Sequence, residues 1–476
     1  MNDDLIYRSA HDVRAGFETG ELDPRAYLDA LYRRIDEVDG EINAVTERLE
    51  ESAHRAAEES RERLRAGTAR PLEGLPIAIK EEHPIAGHAL QLGSSAMPEE
   101  HPDHSHPIVD RIIEAGGIPH IRTTTPEFCA AIFTQSELWG VTSSAWNRAY
   151  AAGGSSGGSG AALAAGMAPL ATGSDIAGSL RIPGAFNGVV GYKAPYGAVP
   201  ALAPANLDTY CHDGAMARSP RDARLLHSVI AGRHPLDHVS VSALPEERAA
   251  PIRRVAVTAT LGSNRVSSDV RLAVDAAAAA LESRGYELVE AGLELPLGEL
   301  VRPAFAHLAL MMAPLIRAAL GEGYDRANPY AKDLVERAEE ALAEIGPLGV
   351  TLAEADVQAQ LAELFTHADA LVCPTMLVPG LDAGEDYIGK PIVIDDVPVD
   401  VWHSGEIAAT FPFNMASRCP VLTVPSAITS IGIPGSVQVV TAPYAESTAF
   451  AVAEDIYAGA AWYETPALRP SFGGTA

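Results

Sequence analysis

Residues 153–184 read GGSSGGSGAALAAGMAPLATGSDIAGSLRIPG, and the interpretation of the whole chain turns on them. Five glycines and three serines fill Gly153–Gly160, so the backbone there turns sharply and approaches other groups closely. Ala161–Gly166 reads as a short helix, and a second glycine-rich turn, Gly173–Ser179, follows. Two loops bearing serine hydroxyls are joined through one helix, an arrangement suited to an active site.

Three other readings of this stretch compete with that one. A Gly/Ser run is most often a flexible linker, but this one leads directly into an Ala/Leu helix and an Ile-Pro-Gly-Ala-Phe segment that reads as packed core. A phosphate-cradling loop needs Lys and Ser/Thr after its last glycine, or a third glycine near Leu163, and both patterns fail. The nucleophile elbow G-x-S-x-G fits Gly153–Gly157 and Gly154–Gly158. It requires an apolar strand before the serine, and Ser143–Ala152 is not one.

Strand and helix signals alternate on either side. Ala10–Thr19 is helical, Asp23 caps a helix with Pro24 at its first position, and Val45–Ala66 reads as a further helix. Leu75–Ile79 is a short apolar strand ending at Lys80, Pro107–Ala115 is helical, Ile118–Ile121 extended, and Pro126–Ala131 starts a helix. Further on, Val255–Val257, Ala370–Cys373 and Val421–Val424 read as strands, and 269–284, 302–320 (kinked at Pro314) and 352–365 as helices. Alternation of this kind indicates an α/β layered fold. The polar, proline-bearing stretch 235–251 reads as an excursion, and no low-complexity linker divides the 476 residues, so one domain is expected although length alone suggests about three.

Net charge is −28, spread along the chain. Such a surface repels polyanions, so no nucleic-acid partner is expected, and solubility is its ordinary consequence. Cys129, Cys211, Cys373 and Cys419 show no C-x-x-C pair and no ligand spacing, so neither disulfides nor structural zinc is expected. The acidic N-terminal segment lacks the apolar core of a signal peptide. No run of about 18 apolar residues occurs, and a cytoplasmic protein without membrane association is the expectation.

The chain resembles the amidase signature family in GLPIAIK ending at Lys80, GGSSGGSG at Gly153–Gly160 and GSDIAGSLRIPGAFNGVVGYKAP at Gly173–Pro195. The interval from Ser155 to Ser179 matches the one between that family's two catalytic serines. PEFCA at Pro126, AMARSPRDARLL at Ala215, LVCPTMLVP at Leu371 and TFPFNMASRCPVLTVPS at Thr410 extend the resemblance over nearly the whole chain. It implies one domain built on a central twisted mixed β-sheet with helices on both faces: a helical wrap over 1–70, a core over 75–200, and a second half over 251–476 completing sheet and substrate mouth.

By the same resemblance Ser179 is the nucleophile of an acyl-enzyme amidase, Ser155, after a cis peptide bond from Gly154, passes protons, and Lys80 is the ultimate base. The amides of Ile176, Ala177, Gly178 and Ser179 form the oxyanion hole. Asp175 and Arg181 flank that loop, as a structural ion pair or as part of the site. The implied substrate is a small amide, with aryl and acyl amides, carbamates and esters as candidates. No cofactor or metal is implied, and the assembly is a monomer or homodimer.

A lysine's ordinary pKa is about 10.4, so burial after Leu75–Ile79 is expected to hold Lys80 neutral. Glu81-Glu82-His83 follows, where relatives usually carry Asp-Asn, and a carboxylate so near favours the charged form. Ala177 replaces a common glycine and would cost about 1 kcal/mol if the position needs positive φ. His83, His88, His101, His104 and His106 are expected to be a polar loop rather than a metal site. Phe133 and Met311 are candidates for the substrate pocket, and Phe305, Leu308, Met312 and Leu315 line its mouth or join the core. Two alternatives stand beside the free-standing amidase. One is a glutaminase-type component of a tRNA-dependent amidotransferase, disfavoured by Ile182 after Arg181, where those proteins usually carry Gln. The other is an α/β-hydrolase-type esterase using Ser155 or Ser156 with His227 or His403.

Overall fold

The run Pro76–Lys80 is buried along its whole length, as an unbroken apolar strand is when both faces of its sheet are covered. In the computed structural model, which describes residues 3–242, 252–459 and 462–473, it lies inside an 11-stranded sheet. The strands are β1 (Val45–Arg48), β2 (Pro76–Lys80), β3 (Ile118–Thr123), β4 (Leu170–Asp175), β5 (Val190–Lys193), β6 (His212–Ala217), β7 (Arg254–Val257), β8 (Glu287–Glu290), β9 (Ala370–Pro374), β10 (Val421–Ile428) and β11 (Pro434–Thr441). Their spatial order is β1-β3-β2-β4-β6-β5-β10-β11-β9-β7-β8. β2 runs parallel to β3 and β4, and β7 runs parallel to β8 and β9. The other pairs are antiparallel, so the sheet is mixed, in one α/β domain. Both halves of the chain contribute adjacent strands, joined where β5 pairs with β10.

The helices named below are α1 (Ala10–Thr19), α2 (Pro24–Ile42), α3 (Glu50–Arg65), α4 (Pro107–Glu114), α5 (Gly157–Ala164), α6 (Arg181–Asn187), α7 (Ser268–Ser283), α8 (Leu297–Leu308), α9 (Met312–Leu320) and α10 (Pro329–Leu364). Caps follow the sequence: the Ser9 hydroxyl accepts from Asp12 N, and the Asp23 carboxylate from Arg25 N and Ala26 N. No single helix among the described residues is long and apolar enough to cross a membrane.

Several boundaries differ from the sequence expectation. Val45–Arg48 is a strand at the sheet edge: Asn43 turns the chain at φ 60, Asp39 accepts from Ala44 N at 2.8 Å, and β-branched Val45 and Thr46 run beside β3 before α3 begins at Glu50. Pro126–Ala131 makes only a 3₁₀ turn, because Phe128 and Cys129 take positive φ. The helix after the serine loop starts at Gly157, inside the glycine run. Residues 302–320 divide into α8 and α9, bent by 49° at Met311 rather than kinked at Pro314. The helix expected over 352–365 is the second part of α10, which breaks at Gly346. Of the excursion at 235–251, residues 243–251 lie outside the described residues.

Candidate active site

Lys80 is the last residue of β2, and its parallel neighbour β4 ends at Asp175, so both strands deliver their C-terminal ends to one edge of the sheet. The second serine loop, Ile176–Ser179, leaves from that edge. The first is brought beside it by α5, which is wedged under β3: a Cβ on Gly158 would stand 2.4 Å from Thr124 Oγ1. Ser156 N donates to Ser179 O at 3.2 Å, tying the loops together. The Gly154–Ser155 peptide bond is cis.

The Lys80 ammonium donates to three oxygens: Ser155 Oγ at 2.7 Å, Ser174 Oγ at 2.7 Å and Glu82 Oε2 at 2.9 Å. Ser174 Oγ in turn donates to Glu82 Oε2 at 2.6 Å. Burial alone would lower the Lys80 pKa, but the Cys129 sulfur and the Glu82 carboxylate outweigh it and leave it above its ordinary value. Burial pushes the Cys129 thiol up to about 12, so at neutral pH Glu82 is the standing counter-charge. Burial would raise the Glu82 pKa too, yet Lys80, His83 and Ser174 bring it down to about 2. The expectation that burial holds Lys80 neutral is therefore corrected: Cys129 and Glu82, both in contact with its ammonium, together raise its pKa against the effect of burial.

In the loop Ile176–Ser179 the residue with positive φ is Gly178, at 130°, and not Ala177. Alanine is therefore accommodated at 177, while a Cβ on Gly178 would fall 2.1 Å from Thr410 Oγ1. Asp175 spans the turn, accepting from Gly178 N at 2.8 Å and Leu180 N at 3.2 Å. Gly178 N–H is thus occupied. The amides of Ile176, Ala177 and Ser179 meet no protein acceptor among the described residues. Arg181 grips Asp175 through two bonds of 2.9 Å and also donates to Thr410 O, Gln438 Oε1 and Asn414 Oδ1. Asp175 and Arg181 are both fully buried, and burial, which would raise the Asp175 pKa, yields to the Arg181 guanidinium, which holds it well below the carboxylate range.

Two of the five clustered histidines converge. His83 Nε2 and His106 Nε2 stand 2.8 and 3.4 Å from the two oxygens of Asp213, a trio whose ligand atoms lie within 4.8 Å of one another. His106 Nδ1 accepts from Ile108 N at the start of α4, which leaves Nε2 carrying the proton. That nitrogen faces Asp213 Oδ2 across 3.4 Å. His83 Nδ1 contacts Thr172 Oγ1 at 3.0 Å, and Thr172 accepts from Lys80 N at 3.0 Å. The trio braces the strand end that carries Lys80. His88, His101 and His104 pair separately with Glu47, Glu99 and Asp103.

Two cavities meet at Ser179. One, of about 660 Å³ including its open mouth, is walled by apolar groups including Ile132, Ile182, Val301, Phe305 and Leu308, with His403 and Tyr210. The other, of about 1080 Å³ including its open mouth, holds Ser155, Ser174, Glu82, Asp213, Met311 and Leu315. Met311 lines the larger of the two, and Phe133 packs edge-on against Tyr330, ring centroids 5.3 Å apart, and lines a neighbouring recess of about 410 Å³ including its open mouth. Neither histidine of the esterase reading serves Ser155: His227 pairs with Glu446 at 2.9 Å, and His403 accepts from Gly405 N. Ser174, Thr172, Asp213, Thr410, Asn414 and Gln438 escape a reading of the sequence. Nothing local marks them, since each acts on a residue far away in the chain.

The family model described as Amidase matches residues 26–450. The chain is 30% identical to the 6-aminohexanoate-cyclic-dimer hydrolase of Paenarthrobacter ureafaciens over 93% of both chains. It is 32% identical to one component of the glutamyl-tRNA(Gln) amidotransferase of Halorhodospira halophila over 63% of each, just under two thirds of that relative's length. In structure it superposes on a bacterial aryl acylamidase with a TM-score of 0.85, covering 96% of this chain and 98% of that one at 21% identity. A sheet that brings Lys80 and the two serine loops to one edge, and a family match running through nearly all of the chain, together assign this protein to the amidase signature family of amide-cleaving hydrolases.

Proposed function

We propose that the protein is a free-standing amidase acting on small acyl or aryl amides through an acyl-enzyme on Ser179. Ser179 Oγ attacks the carbonyl carbon while its proton passes to Ser155 and on to neutral Lys80. The oxyanion is met by the amides of Ile176, Ala177 and Ser179, preorganised by the Asp175–Arg181 pair. The proton then returns through Ser155 to the amide nitrogen, the C–N bond breaks and the amine leaves. Water, deprotonated by the same relay, hydrolyses the ester to a carboxylic acid and restores Ser179. A hydroxyl suits the middle of the relay because it donates and accepts at once.

The observation that carries this reading is the 2.7 Å contact of Lys80 Nζ with Ser155 Oγ, the hydroxyl of a residue that lines the same cavity as Ser179. Purified protein should release amines from a panel of anilides and alkyl amides with no partner protein and no ATP. Turnover appearing only with a partner protein would favour the amidotransferase reading instead. Ser179→Ala should abolish both turnover and labelling by serine-directed reagents. Ser155→Ala should lose about 10²- to 10⁴-fold and keep measurable activity, and labelling retained in Ser179→Ala would refute the nucleophile assignment.

A further inference from the structure

The two cavities at Ser179 differ in charge, and the proton route says which part of the substrate enters each. Ser155 returns the proton to the departing nitrogen, and Ser155 lines only the larger of the two cavities. The amine therefore leaves through the chamber of Glu82 and Asp213, and the acyl group occupies the apolar pocket of Val301, Phe305 and Leu308.

Among the described residues, no lysine or arginine lines either cavity. The apolar pocket has no charged wall at all: burial takes His403 down to about 3, so its ring is neutral, and the Tyr210 hydroxyl is spent on Glu354 at 2.9 Å. The amine chamber presents carboxylates from Glu82, 31% exposed, and Asp213. The cations that balance the site, Lys80 and Arg181, are fully buried behind its wall. A charge entering the apolar pocket loses its water whatever its sign. A charge entering the amine chamber meets carboxylates first, so there the sign matters.

We infer that the enzyme selects amides by charge on two different rules: an uncharged acyl group, and an amine portion that is neutral or cationic but not anionic. This rests on the amidase reading above and names the substrate class for it.

The test is a matrix of short amides measured as kcat/KM by quantifying released amine. Pentanoyl amides of butylamine, 1,4-diaminobutane and 4-aminobutyrate vary charge on the amine side. Butylamides of pentanoic acid, succinic acid and 4-aminobutyric acid vary it on the acyl side. The 4-aminobutyrate amide should be at least roughly tenfold slower than the other two pentanoyl amides, and both charged acyl groups should be slower than pentanoyl by a similar factor or more. Leu315→Lys, on the α9 rim and 41% exposed, should speed the 4-aminobutyrate amide relative to the diaminobutane amide. A sign preference on the acyl side with none on the amine side would reverse the orientation and overturn the inference, as would equal rates throughout. Silence of the entire matrix, the neutral pair included, would count against the amidase reading itself.

Discussion

At the scale of single residues the unusual feature is Glu82. A lysine that must be neutral to accept a proton is held by a carboxylate at 2.9 Å and by two hydroxyls at 2.7 Å, so at neutral pH the resting base is largely occupied. Activity should therefore rise with pH, because the working form appears only as Lys80 loses its proton, and the limb should lie on the alkaline side. Glu82→Gln keeps an acceptor but removes the charge. The limb should then move to lower pH by about 1 to 3 units, the shift expected from one opposite charge in contact, and kcat/KM–pH profiles of both proteins check this. Lys80→Ala should abolish the limb and slow an anilide more than a matched activated ester, by roughly 3–5 kcal/mol in barrier. The phenolate of the ester departs without protonation and the amine does not. An unmoved profile in Glu82→Gln would show that the carboxylate does not govern the base.

At the scale of elements, the turn between β4 and α6 shows how the chain builds a donor loop. Gly178 supplies positive φ, Thr410 packs against it and donates to Ala177 O at 2.5 Å, and Asp175 holds Gly178 N and Leu180 N. Arg181 then ties that carboxylate to Asn414 and Gln438. Asp175→Asn leaves the guanidinium buried without its counter-charge, and removing one partner of such a pair costs about 3–5 kcal/mol. Urea unfolding should register that loss, and kcat should fall with it as the oxyanion donors shift. A variant as stable as the parent would mean that Arg181 is sustained by its other acceptors.

At the scale of the whole molecule, the helices over the cavities are fastened to the sheet side by a charged clamp. His307 of α8 contacts Asp208 at 2.8 Å and Glu354 of α10 at 3.1 Å, and stacks on Tyr210 with ring centroids 3.6 Å apart. Burial would lower the His307 pKa, but the bonds to Asp208 and Glu354 outweigh it and raise it to about 9. A raised pKa stabilises the fold fully below the unfolded value of about 6.5 and loses that contribution as pH rises through about 9. Thermal or urea unfolding between pH 6.5 and 9.5 should thus show a loss of roughly 2–3 kcal/mol, and His307→Gln should flatten it. An unchanged slope in the variant would assign the pH dependence to other groups.

Local chemistry made much of this protein legible in its sequence. Leu75–Ile79 reads as a buried strand because its apolar run is unbroken, and α2 reads correctly because Asp23 is a cap followed by proline. Lys80, Ser155 and Ser179 were recognisable by the motifs around them and the interval between them. Tertiary structure alone decided what those groups experience. Glu82 was visible as a neighbour, but whether burial or its carboxylate governs Lys80 depends on a contact that only the folded strand end makes. Asp213 reaches His83 and His106 only after β4 and β6 pair. Val45–Arg48 became a strand because β3 offered an edge, and the two cavities exist because α8 and α9 part at Met311 over the serine loops. Propensity and capping act over a few residues and are written locally. Charge state, sheet edges and cavities belong to groups brought together from far apart in the chain, and folding is what brings them together.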